Sequence, residues 1–233
     1  MEFRLAHGFR QIIAALVLSI GSSATAEEVS CPGIDVMVSG ADDTDALCTL
    51  VEQSIEDMSR CDLHQSAPIS IHILTAPIDG NPTCLGLFHC KTNEILLRTP
   101  QSLSAALGPE HPLGILSKDR LFDSLVVHEL AHALLYQSRG DTAKTRAEDE
   151  YIAYAMQYAF LNDRERAALL AQFETSTFGF EFLNDITYGF SPNLFGAFAW
   201  QHYSQPGNGC AFVRKIIDQD IDFQIHDFYS LEP

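Results

Sequence analysis

The chain has 233 residues, with 14 Lys and Arg against 31 Asp and Glu and a formal net charge of −17. So acidic a surface repels nucleic acid and anionic membranes; no basic cluster reverses it, and neither is expected as a partner. The length suits one domain with a proper core.

Arg4 and Arg10 open the chain, "IIAALVLSI" (Ile12 to Ile20) follows, and Ala24 and Ala26 form an A-x-A pattern before Glu27. This is the layout of a secretory signal peptide, with cleavage expected after Ala26. The apolar run is too short for a bilayer, which takes roughly 20 residues. Residues 1–26 are therefore assigned to a signal and 27–233 to a single domain, secreted or periplasmic. All six cysteines (31, 48, 61, 84, 90 and 210) lie beyond the cleavage point. An even number in an exported chain predicts three disulfides, with the pairing left open. Cys48 with Cys61 is disfavoured, because a helix between them holds their Cα atoms about 20 Å apart. There is no CxxC pair to suggest a zinc–cysteine site.

Residues 27–41, with Pro32, Gly33 and Gly40, read as irregular. Asp42 to Asp45 then offer helix caps, and Leu47, Leu50, Val51, Ile55 and Met58 recur at helical spacing. "PISIHILTAP" (Pro68 to Pro77) alternates and is β-branched, so it reads as a strand, with His72 in a structural role. "DGNPT" is a turn, and "CLGLFHCKTNEILLRTP" reads as two short strands around Lys91-Thr92-Asn93. A loop with Gly108, Pro109, Pro112 and Gly114 precedes a helix from near Lys118 to about Ser138, stopped by Gly140. Helices follow in "KTRAEDEYIAYAMQYAFL", "DRERAALLAQFE", "SPNLFGAFAWQHY" and roughly Cys210 to Ile217. The expected fold class is α+β: a small antiparallel or mixed sheet followed by a mostly helical domain.

The most informative stretch is "VVHELAHALLYQ" (Val126 to Gln137). Residues four apart on a helix differ by about 40° around its axis, so His128 and His132 face the same way. Their imidazoles can share one Zn²⁺. Glu129, rotated by about 100° from His128, can reach a metal-activated water without being a ligand. H-E-x-x-H on a helix is a zinc-peptidase signal. The surrounding Leu125, Val126, Leu130, Ala133, Leu134 and Leu135 make the helix strongly apolar. Three polar side chains on such a helix are costly to bury without a purpose.

A catalytic zinc usually takes three protein ligands and keeps one position open. The third is not a metzincin histidine, since Leu135 and Ser138 stand where Gly and His are required. Glu148, Asp149 and Glu150 lie one helix–turn–helix beyond His132. Glu150 is favoured, because the small Ala153 one turn along lets the second helix approach closely; Glu148 suits the helix start. Asp185 is the rival: "DITYG" (Asp185 to Gly189) has the D-x-x-Y-G form of aspzincins, although Phe182 and Leu183 replace the preceding G-T.

His128, Glu129, His132 and Glu150, with E-x-x-A at Glu150 to Ala153, resemble the gluzincin branch of the zincin metallopeptidases. The resemblance covers about Pro68 to Ile217 and is specific only in those two short motifs. It implies a zincin-like domain with metal ligands at His128, His132 and Glu150, a general base at Glu129 and Zn²⁺ as the cofactor. It also implies a tyrosine or histidine that steadies the tetrahedral intermediate, for which Tyr188, His202 and Tyr203 are the candidates. Tyr151, Tyr154 and Tyr158 follow helical spacing and are expected in the core. His64, His89, His111 and His226 lack a partner at ligand spacing. The expected activity is hydrolysis of a peptide or protein substrate by a monomer; the alternatives are a non-catalytic zinc-binding module and a metal-free inhibitor or adhesion domain. An intact Glu129 favours catalysis, since a structural zinc site needs no base.

Overall fold

A computed structural model describes residues 28–221 and 223, apart from 109, 141, 143 and 174–178. The signal peptide expected at 1–26 lies outside them. Five strands form one mixed sheet: β1 (Glu28–Ser30), β2 (Val36–Ser39), β3 (Ile69–Leu74), β4 (Gly86–His89) and β5 (Glu94–Arg98), in the order β1-β2-β3-β5-β4. β2, β3 and β5 run parallel, and β1 and β4 close the two edges antiparallel. The sheet precedes most of the helices, so the α+β reading holds.

Strand β3 shows why. Its alternate residues Ile69, Ile71 and Ile73 all turn inward, the period of two that one buried sheet face demands. His72 points to the other face, where its Nδ1 pairs with Ser39 Oγ at 2.8 Å, a structural role. The stretch 27–41, expected to be irregular, contains β1 and β2. Their three and four residues are too short to show a pattern alone, and β2 is completed by pairing with β3, Val36 opposite Ile69.

Helix α1 (Thr44–Ser59) is capped by Asp43, whose side chain accepts from Ala46 N, and carries the crossover from β2 to β3. A short α2 (Pro100–Ala106) precedes the stretch around Gly108 to Gly114 expected to be loop, and a 3₁₀ turn (Pro112–Ile115) overlaps its end. Thr99 caps α2 and Pro100 fills its first turn, where a missing N–H does no harm.

The centre is the pair α3 (Lys118–Arg139) and α4 (Arg146–Phe160). Ala131, Ala133, Ala147, Ala153 and Ala155 are fully buried, which lets the two helices approach closely. Gly140, with φ 77°, ends α3 in a backbone conformation that favours glycine. Beyond lie α5 (Asp163–Leu170), a 3₁₀ turn (Phe180–Phe182), α6 (Asp185–Phe190), α7 (Pro192–Tyr203) and α8 (Cys210–Ile217). No described helix is long and apolar enough to cross a membrane.

Two disulfides staple this frame. Cys31–Cys48 ties the β1–β2 connection to α1, and Cys61–Cys210 ties the end of α1 to α8. The expected third is not formed: Cys84 and Cys90 are free. They flank β4, and six residues of extended chain span about 20 Å, beyond a disulfide's reach.

Candidate metal centre

Ser124, His128 and His132 recur every fourth residue along α3, and Glu150, Tyr154 and Gln157 recur along α4. The helices face each other along these stripes. His128 Nε2 lies 3.6 Å and His132 Nε2 3.9 Å from the same oxygen, Glu150 Oε2. One ligand atom from each of the three lies within 4.8 Å of the others, a group that could hold a metal ion. Among the described residues no fourth His, Cys, Asp or Glu completes it.

A buried relay settles the proton on His128. Ser124 Oγ donates to the Leu121 carbonyl at 2.8 Å, so it accepts from Gln157 Nε2 at 3.2 Å. The Gln157 amide is thereby oriented with Oε1 toward His128 Nδ1, at 3.1 Å. Oε1 only accepts, so Nδ1 carries the proton. In the neutral ring, Nε2 then aims its lone pair at Glu150. A lone pair facing a carboxylate oxygen requires a cation between them, either a proton or a metal. The site therefore fits a metal by its donor chemistry.

The electrostatics agree. Burial disfavours the His128 imidazolium, but the adjacent Glu150 carboxylate outweighs it and raises the His128 pKa. His132 is pushed down to about 4 by burial and by the charge on His128. Burial raises Glu150, yet the two histidines prevail and hold it at about 2.

Glu129 sits on the neighbouring face of α3, buried against β4. Burial raises its pKa to about 7, while the charge on His128 and the Phe88 backbone N–H pull it down. Gly86 makes this approach possible: a Cβ there would lie 2.6 Å from Glu129 Oε1 and 2.9 Å from its Cγ. A cleft of about 550 Å³ opens onto the four side chains. β4 forms one wall, and Tyr154 and Tyr188 stand on the other side.

The remaining candidates fall elsewhere or take other parts. Glu148 pairs with Arg139 and the Lys144 N–H, and Asp185 Oδ1 accepts from Ala147 N at the start of α4. Neither joins the histidines. Tyr188 lines the cleft, with its hydroxyl beside the Glu150 carboxylate. His202 is a correction: it does not line the cleft. α7 turns it inward, where Nδ1 pairs with the Tyr151 hydroxyl at 2.9 Å and the ring packs on Phe212. Tyr203 faces the Cys61–Cys210 disulfide and is likewise outside the cleft.

Tyr154, read from spacing as core, lines the cleft and meets the His128 ring edge-on at 4.8 Å. Gln157 and Ser124 were legible, being in helical phase with Glu150 and His128. Gly86 and Phe88 carry no sequence signal, since only tertiary packing sets them against Glu129.

No curated protein and no solved structure matches the chain. Residues 34–226, which include the whole cleft, match one family, and the chain accordingly belongs to DUF6639, a family of unknown function.

Proposed function

We propose that this protein is an exported zinc-dependent metallopeptidase. The observation that carries the reading is Glu129: a buried carboxylate, raised by that burial to about 7, stands beside a group of three residues that could hold a metal ion. A general base works best with a pKa near the operating pH. Two imidazoles and one carboxylate suit zinc, and the His128–Glu129–His132–Glu150 pattern resembles gluzincins. The two disulfides are in keeping with an oxidising compartment.

In this reading His128, His132 and Glu150 would hold the ion. Zinc would act as a Lewis acid on the carbonyl and lower the pKa of the attacking water. Glu129 would take a proton from the attacking water on its carboxylate and give it to the departing amine. Gly86 lets β4 pack against the carboxylate, whose burial raises its proton affinity, while the Phe88 N–H partly offsets the rise. Gln157 fixes the His128 ring, as hydrogen-bonded partners of metal-binding histidines do. Tyr188 lies beside Glu150 and supports the ionised ligand.

The test is metal content and cleavage of a peptide library by wild type and Glu129→Gln. We expect about one zinc per chain in both, with hydrolysis reduced about 10²–10⁴-fold in the variant. Zinc in both proteins with no cleavage by wild type identifies a metal-binding module. Activity of Glu129→Gln within a few-fold of wild type removes Glu129 as the base.

A further inference from the structure

Arg146 is a charged cleft residue with no part in the chemistry above. It is the first residue of α4, it lines the cleft, and its side chain is 73 % exposed. Its guanidinium is positioned without being used. Nε stands 3.9 Å from Glu150 Oε1, too far for a hydrogen bond, and Cζ stands 5.4 Å from the centre of the Tyr188 ring. Among the described residues nothing accepts from its five N–H donors. A guanidinium above an aromatic ring and largely exposed keeps N–H groups available, and its planar fork matches a carboxylate bidentately.

The other charged groups of the cleft are engaged. Arg139, its side chain only 3 % exposed, is bound by Glu148 and Asp149. Glu150 faces the histidines, and Glu129 is buried against β4. Arg146, in ion-pair range of Glu150 but without a hydrogen bond to it, is therefore the exposed cation beside the metal-binding group. Arg146 stands 3.9 Å from Glu150, a member of the metal-binding group, and extended chain advances about 3.3–3.6 Å per residue, so a group held by Arg146 would lie within a residue or two of that group. The chain's net charge of −17 repels polyanions at long range, which narrows the recognised group to a single carboxylate rather than an acidic tract.

We propose that Arg146 receives a carboxylate of the peptide substrate, about one or two residues from the bond that is cut. The inference rests on the peptidase reading and adds a substrate class to it. A C-terminal α-carboxylate and an Asp or Glu side chain present the same chemistry, and the experiment separates them.

The full chain carrying Glu129→Gln is loaded with zinc and titrated calorimetrically with four peptides of one sequence. One pair differs by a free or amidated C-terminus, the other by Glu or Gln beside the scissile position. In one of the two pairs the carboxylate form is expected to bind at least about tenfold tighter, the scale of a hydrogen bond to a charged group. That pair names the source. Adding Arg146→Ala should abolish the difference with zinc content unchanged, while Arg146→Lys, a point charge without the planar fork, should keep part of it. Equal binding within both pairs, or a preference that survives Arg146→Ala, overturns the inference and leaves the peptidase reading standing. Loss of zinc in Arg146→Ala overturns it too, by making Arg146 a positioning residue for Glu150. Failure of the Glu129→Gln protein to take up zinc or to bind any peptide overturns both.

Discussion

On one side of the cleft, α3 and α4 present His128, His132 and Glu150 from a buried helix pair whose polar atoms are tied through Gln157 and Ser124 to the backbone. On the other, β4 offers four half-buried residues, a glycine and two flanking free thiols. The helical side determines what can be bound. The strand side determines how strongly Glu129 holds its proton, by desolvating it. In the proposed reading, affinity for a metal would rest on the helix pair and the proton affinity of Glu129 mainly on its burial against β4, and variants should separate them.

The largest effect is expected on the helical side. His128→Ala or His132→Ala should lose most of the bound zinc, and Glu150→Ala should weaken it by more than about 100-fold, beyond the roughly 10–100-fold attributed to outer partners. Glu148→Ala and Asp185→Ala should stay within a few-fold. Metal-competition titration measures all five. Retention of zinc by Glu150→Ala with loss by Asp185→Ala would reassign the third ligand.

Next is the strand side in the metal-free protein. Glu129 has a folded pKa of about 7 against an ordinary 4.5. The folded state therefore keeps a proton that the unfolded state has released, and stability falls as pH rises from 4.5 to 7. Above that the cost is constant, on the order of 3 kcal/mol. Chelator-treated Glu129→Gln should be more stable than wild type at pH 8 by an amount of this order, with the gap closing toward pH 4.5. Denaturant unfolding at the two pH values reads it, and an equal gap at both would show that burial does not set the Glu129 pKa.

Gln157→Leu tests the relay. It keeps the volume but leaves the His128 Nδ1 proton without an acceptor, and zinc affinity should fall about 10–100-fold while Glu129 keeps its contacts with β4. An unchanged affinity would mean that the His128 tautomer does not depend on Gln157.

The smallest effect is at Gly86. Gly86→Ala places a methyl 2.6 Å from Glu129 Oε1, so the carboxylate or the strand must shift. Turnover should fall about tenfold, within the up to ~10² that a small misplacement can cost, with zinc content unchanged. Loss of zinc in this variant would show that the two sides are not independent.

The H-E-x-x-H spacing, the helix that carries it, the alternation of β3 and the choice of Glu150 over its neighbours were all readable in the chain. So was the helical phase that brings Gln157 under His128. Each depends on residues a few positions apart on one element, where 3.6- and 2-residue periods dictate which side chains meet. His202 shows the limit. A histidine on α7 looked available as a cleft donor, and only packing decided that it faces Tyr151 and Phe212. The cysteines show it too, because three pairs were expected and the extended β4 keeps Cys84 and Cys90 apart.

The sequence by itself determined the α+β class, the pairing of His128 with His132 and the presence of a carboxylate between them, because local periodicity governs these. Tertiary structure alone decided that Glu129 is buried where β4 packs at Gly86, that β2 is a strand, and that Arg146 stands exposed beside Glu150. These depend on surfaces brought together from distant parts of the chain, and desolvation and charge arise only where such surfaces meet.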